Sequence, residues 1–313
     1  MTIASRKASM DDQHAVPDVV ARIVALARGW SFEATLPTDA EVAALGTILP
    51  EGTCVYLSAV PTRDPAAQLA AAVRLHAAGF APVPHVAVRT FATAASLDAF
   101  LSRMVGEAGV RRILVIAGDR DRPAGPFRSA VEAIDSGVLQ RHGIAEIDIA
   151  GYPAGHPLLS PQELDRALTE KIDIAAEMGL PVGIVTQFCF DPDPIIAWIG
   201  RLRDFGVENC IRIGLAGPTN IATLLRYARR CGVEASAQGL VRQSGLARHI
   251  FGMSAPDGLV RALAGRAAGH LGDVALHFFS FGGIAATARW AKALAEGRIT
   301  LDADGGFRVA PPS

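Results

Sequence analysis

Apolar residues recur along this chain in short blocks separated by longer amphipathic stretches. Eight blocks read as strands buried on both faces: GWSFEAT (29–35), CVYLSAV (54–60), PVPHVAV (82–88), RILVIAGD (112–119), EIDIAGY (146–152), GIVTQFCF (183–190), IRIGLAG (211–217) and ALHFFSFG (275–282). Helical spacing fills 64–79, 95–108, 126–141, 160–179, 191–205, 219–231, 256–270 and 284–296. Strand alternating with helix, without a linker, predicts a single α/β domain, a (β/α)8 TIM barrel over about 29–296. Outside that rhythm lie a leading helix near 16–28, an enlarged connection before the eighth strand and a tail, 297–313. In the tail a DADGG turn separates two β-like runs, which predicts a small peripheral hairpin. A doubly wound sheet is the competing architecture, but neither GxGxxG nor GxxxxGK[ST] follows the early strands.

Composition narrows the partners. With 50% hydrophobic and 19% charged residues over 313 positions, the chain can bury a large core. Its net charge is -1 and its 30 basic residues are spread out, so there is no footprint for nucleic acid or an anionic membrane. No apolar run reaches the ~18 residues of a membrane span, and the start, MTIASRKASMDDQ, has no signal-peptide core. A cytoplasmic protein acting on small molecules is expected. The four cysteines, Cys54, Cys189, Cys210 and Cys231, show no metal-ligand spacing and read as small core hydrophobes. Alanine-rich outer helices suit a homo-oligomer, or equally tight packing on their own barrel.

In such a barrel chemistry gathers at the carboxyl ends of the strands. Those ends carry Glu33, Ser58, His85, Asp119, Tyr152, His156, Thr186, Gln187, His277 and Ser280. Each has a plain structural alternative: Glu33 as a charge paired with an arginine, Asp119 as a turn cap, Gln187 as a core amide, and His85 or His277 as a bonded core histidine. Together they point to a site, because so many polar groups at one end cost stability unless a ligand, water or mutual pairing satisfies them.

Lys171 is a further clue. SPQE opens the helix after the fifth strand with Ser160 as N-cap, Pro161 at the first helical position and Glu163 completing a capping box. Counting from there, Leu164, Leu168, Ile172 and Ala175 form one apolar stripe that includes Lys171. The lysine is either a snorkelling stem or an ammonium held for an anionic ligand.

SFE (31–33), AGD (117–119), AGYPAGHP (150–157), Lys171, TQFCFD (186–191) and HFFSF (277–281), in this order, resemble the methylenetetrahydrofolate reductase family over about 30–290. The resemblance implies non-covalent FAD in a (β/α)8 barrel, NAD(P)H as electron partner, and interconversion of methylene- and methyltetrahydrofolate. It implies catalytic roles for Glu33 and Asp119, and substrate binding by Gln187, Phe188, Thr223, Tyr227 and Phe279. Ser58, His85, Ala117, Gly118, Asp119, Phe127, Tyr152, His156 and Lys171 correspond to cofactor-binding positions. Glu33 matches the family's general acid, a role that requires burial to raise its pKa from about 4.3. Prolines in the AGYPAGHP corner would hold Tyr152 and His156 in place for the flavin.

Departures from the family cluster on one side. Its proline-glycine-isoleucine after the seventh strand reads Ile213-Gly214-Leu215, and its glutamine and phenylalanine on the following helix align with Thr223 and Tyr227. Its threonine-leucine-asparagine-arginine becomes Ser280-Phe281-Gly282-Gly283, and FEFFPP becomes FEATLP. The flavin side is thus retained, while the side that receives nucleotide and folate tail is altered. Two other expectations remain: a related flavoenzyme that mainly oxidises methyltetrahydrofolate, and a pterin-binding barrel without redox chemistry.

Overall fold

The structure, a computed structural model, describes residues 19–233, 253–266 and 271–310. Eight parallel strands close into a barrel: β1 (Ser31–Ala34), β2 (Cys54–Leu57), β3 (Ala81–Ala87), β4 (Arg112–Ile116), β5 (Glu146–Gly151), β6 (Val182–Thr186), β7 (Ile211–Ala216) and β8 (Val274–Phe279). Closure joins β1 to β8, with Ser31 opposite His277 and Glu33 opposite Phe279. The expected α/β barrel is therefore present. Several strands end earlier than the apolar runs suggest, because Ser58, Asp119 and Gln187 lie in the loops beyond them.

Alternation along each strand sorts the residues. Outward positions such as Phe32, Val55, Ile113, Ile147, Ile184, Ile213 and Phe278 are fully buried and join the main core beneath the helices. Inward, Tyr56, Val83, Leu114 and Val185 meet in a small central cluster. Three helices that follow barrel strands open with a capping residue and a proline: Asp64 before Pro65–Ala77, Ser160 before Pro161–Glu177 and Asp191 before Pro192–Asp204. The chain therefore turns from strand end to helix with a fixed backbone, which makes the barrel mouth stiff.

Three local expectations change, and parts of two others fall outside the described residues. A helix not anticipated, Asp39–Gly46, follows β1; Thr38 and Glu41 form its capping box, with Thr38 N donating to Glu41 Oε2 at 2.9 Å. The segment expected as one helix over 126–141 is two, Ala130–Asp135 and Val138–Arg141, separated at Ser136 and the left-handed Gly137. The leading helix covers 19–26, and its expected start at 16–18 lies outside the described residues, as does 234–252 of the enlarged connection. The tail hairpin, Ile299–Leu301 with Phe307–Val309, is docked rather than peripheral. Phe307 is buried against Trp290, Arg261 donates to Asp302 O and Gly306 O, and Asp257 accepts from Phe307 N. Among the described residues no helix is long and apolar enough to cross a membrane.

Candidate active site

The first three strands and the last build one cluster at the mouth. Glu33 Oε2 lies 3.1 Å from His85 Nε2 and 3.9 Å from His277 Nε2, and Ser58 Oγ donates a short hydrogen bond to Glu33 Oε1. Glu33 and His85 are about nine-tenths buried, and His277 is fully so. Ser31 Oγ is 2.9 Å from His277 Nδ1, which leaves Nε2 turned to the carboxylate. Gln68, buried on the helix after β2, donates from Nε2 to Leu57 O and His85 O and so ties the ends of β2 and β3 together.

Electrostatics here corrects one expectation. Burial alone would raise the Glu33 pKa, but the positive ends of His85 and His277 outweigh it and hold the carboxyl well below its ordinary range. Glu33 is accordingly a carboxylate at neutral pH rather than a protonated acid. His277 is shifted downward, because burial strips water from its ring more than Glu33 favours the cation. The upward shift expected for Glu33 counted desolvation and left out two ring nitrogens contributed by β3 and β8.

A second group forms across the mouth on β4 and β5. The Tyr152 and His156 rings meet edge to face with centroids 5.1 Å apart, and the turn is closed by Gly155 N donating to Tyr152 O at 3.0 Å. His156 Nδ1 accepts from Leu158 N at 3.2 Å, which fixes the imidazole by its own loop. Burial, then the nearby Asp119 charge, pushes the Tyr152 hydroxyl up; burial pulls His156 down against Asp119. Ala117 O accepts from Arg89 N, and Gly118, at φ +90°, packs so closely on Ala87 that a Cβ would lie 2.9 Å from it. Asp119 itself is exposed.

Lys171 is half-buried on Pro161–Glu177, whose capping box forms as expected. Among the described residues its ammonium has neither a hydrogen bond nor an ion pair, and burial lowers its pKa to about 8.

The third group is aromatic. Phe188 packs edge to face on Phe190, Phe279 and Phe281 at 5.6, 5.2 and 5.0 Å, and Tyr227 stacks on Phe281 at 4.1 Å with the planes 12° apart. Thr223 lies on the same helix, Ile221–Arg230, one turn before Tyr227. Gln187 N donates to Gly151 O, while its side-chain Oε1 accepts from Phe188 N.

The expected residues thus fall into groups that the sequence did not separate. Ser58 and His85, matched to the cofactor, are engaged with Glu33, and Phe127 belongs to the main hydrophobic core. Below the mouth lies a polar cluster that sequence reasoning missed: Tyr56, Arg112 and Asp148. Its signal was a charged residue at an inward position of two otherwise apolar strands.

Residues 48–242 match the protein family described as methylenetetrahydrofolate reductase. The chain belongs to this family. It is 30% identical over 133 residues to methylenetetrahydrofolate reductase 2 of Saccharomyces cerevisiae, covering 39% of this chain and 21% of that protein. Against methylenetetrahydrofolate reductase 1 of Schizosaccharomyces pombe it is 32% identical over 147 residues, covering 44% and 23%. The matched part thus spans less than a quarter of either yeast protein's length. An uncharacterised Clostridium thermocellum protein, solved with two copies of 5-methyl-5,6,7,8-tetrahydrofolic acid, shares the fold at TM-score 0.54 and 9% identity, over 85% of this chain and 93% of that one. For a methylenetetrahydrofolate reductase family barrel, the aromatic group occupies the side where the sequence departs: Phe281 stands in the altered run after β8, stacked on Tyr227.

Proposed function

We propose that this chain is a flavin-dependent oxidoreductase that interconverts 5,10-methylenetetrahydrofolate and 5-methyltetrahydrofolate. The observation behind it is a buried carboxylate flanked by two imidazoles at the mouth, together with a half-buried ammonium on the helix after β5 that has no hydrogen bond or ion pair among the described residues, in a chain of this family. The donor set fits FAD: Lys171 offers a cation to a diphosphate oxygen, while Tyr152 and His156 are held in place by their turn. Backbone groups of Ala117 to Asp119 would complete that wall. Bound there, FAD would supply hydride transfer to or from the folate carbon.

The chain's own residues handle the proton and the charge. Glu33 Oε2 is the atom we assign to exchange a proton with the folate amine that leaves or closes the methylene bridge, with His85 Nε2 and His277 Nε2 beside it to take that proton on. Asp119 brings negative charge to the mouth, where a cationic folate carbon develops. Gln187, Phe188 and Phe279 would hold the pterin by amide and ring contacts, with Thr223 and Tyr227 toward its tail. NAD(P)H is the expected electron partner.

The ionised state of Glu33 favours a second reading of direction. A carboxylate is the form required to accept a proton, which suits oxidation of methyltetrahydrofolate with ring closure. Anaerobic mixing of the flavin-loaded protein tests both. Bleaching by NAD(P)H supports the reductive direction; bleaching by methyltetrahydrofolate alone supports the oxidative one. A preparation that stays colourless with excess FAD, and whose melting curve FAD does not move, would overturn the proposal.

A further inference from the structure

The centre of this barrel is more polar than its fold requires, since such interiors are ordinarily layers of branched apolar side chains. Asp148 on β5 is fully buried, yet it accepts three hydrogen bonds, each at 2.7 Å: Arg112 Nε and Tyr56 Oη at Oδ2, and Arg112 Nη2 at Oδ1. Arg112 also lies 3.3 Å from Glu146 at the opposite end of the barrel. Gly183 on β6 leaves the space this fork needs, because a Cβ there would lie 2.3 Å from Asp148 Oδ1. A buried ion pair of this kind is weak evidence for added stability, as apolar packing of equal volume does at least as well. Its geometric effect is clear: the Tyr56 hydroxyl is pinned by a planar guanidinium–carboxylate unit.

Tyr56 is fully buried, and its other end bears on the site. Its ring meets His277 edge to face with centroids 4.8 Å apart, and His85 at 6.5 Å, both at 77°. These are the two imidazoles that flank Glu33. We infer that Tyr56, anchored by Asp148 and Arg112, is a positioning residue that sets where His277 and His85 stand against Glu33. No bond is made or broken by Tyr56. It serves as the floor on which the histidine rings rest, and it acts through them. The inference rests on the proposed reaction for its catalytic consequence, but its geometric content stands without it.

The test is Tyr56→Phe in the full chain, read by an NMR titration of the His277 imidazole and by steady-state oxidation of methyltetrahydrofolate. The charged or polar groups facing His277 are Ser31 and Glu33 from β1, His85 from β3 and Arg212 from β7, and all remain in the variant. Loss of the anchor loosens the packing that keeps water from His277, so its midpoint should rise toward the ordinary ~6.5. The kcat should fall roughly tenfold, with KM and flavin content within about twofold. Asp148→Asn should act in the same direction, and the double variant should do no more than the larger single change. An unchanged His277 midpoint with unchanged kcat overturns the inference, as do strictly additive effects. If Tyr56→Phe does not fold, Asp148→Asn carries the same two readings. If the parent turns over no folate, the imidazole titration alone decides, so the two failures are distinguishable.

Discussion

Gly183→Ala is a sharp test of the barrel interior. The new methyl carbon would stand 2.3 Å from Asp148 Oδ1 and 3.0 Å from Arg112 Nη2, whereas a relaxed carbon–oxygen contact needs about 3.3 Å or more. About 1 Å of displacement is therefore required, from a carboxylate held by Arg112 and Tyr56 and from a strand held by neighbours on both sides. Breaking the buried pair costs about 3–5 kcal/mol, and shifting the strand instead costs about 1–3 kcal/mol. Alanine recovers roughly 0.5–1 kcal/mol of backbone entropy, leaving a net loss of about 1–3 kcal/mol between the midpoints of the two routes. Urea unfolding followed by circular dichroism should show this as a lower midpoint at unchanged slope, with a fall in Tm of roughly 5–10 °C. Gly200→Ala is the matched control. Gly200 sits inside the helix Pro192–Asp204 with nothing within 4 Å of the new carbon, so the same substitution should stabilise by up to about 1 kcal/mol. Equal stability of Gly183→Ala and the parent, within about 0.5 kcal/mol, would refute the tight fit of the ion pair into the glycine's space.

Other outcomes follow from the mouth. Glu33→Gln should retain FAD and lose folate turnover by about 10²-fold, measured by single-turnover mixing; wild-type turnover would remove Glu33 from the mechanism. Lys171→Ala should release FAD on gel filtration, and wild-type FAD affinity should weaken as pH rises through about 8, where the ammonium loses its proton. Equal flavin occupancy in mutant and parent would leave Lys171 a snorkelling side chain. Acid should destabilise the fold in two stages. His277 is held neutral, so below about pH 6.5 the unfolded chain takes up a proton that the fold resists. Glu33 has a folded pKa below its unfolded ~4.3, so its contribution is full above that value and is lost as pH falls further. Glu33→Gln should shrink the lower stage in a pH series of thermal melts, leaving the part owed to other lowered carboxylates such as Glu163, and an unchanged lower stage would contradict the lowered Glu33 pKa.

The sequence by itself determined the barrel. Strand and helix alternate through the local period of apolar residues, and helix starts such as Ser160-Pro161 and Asp191-Pro192 are written in adjacent positions. Capping likewise marks Thr38 and Glu41, a signal that the apolar pattern of Asp39–Gly46 was too weak to bring forward. It also brought Glu33, Asp119, Tyr152, His156 and Lys171 to notice, because strand ends and helix stripes are local features. What only the tertiary structure decided was which polar groups meet. Ser31 and His277 are 246 residues apart, Tyr56 and Asp148 are 92 apart, and both contacts exist because closing the barrel sets β1 beside β8 and turns β2 and β5 toward one interior. A pKa depends on charges within a few ångströms regardless of chain distance, so the sign of the Glu33 shift was invisible until His85 and His277 stood beside it.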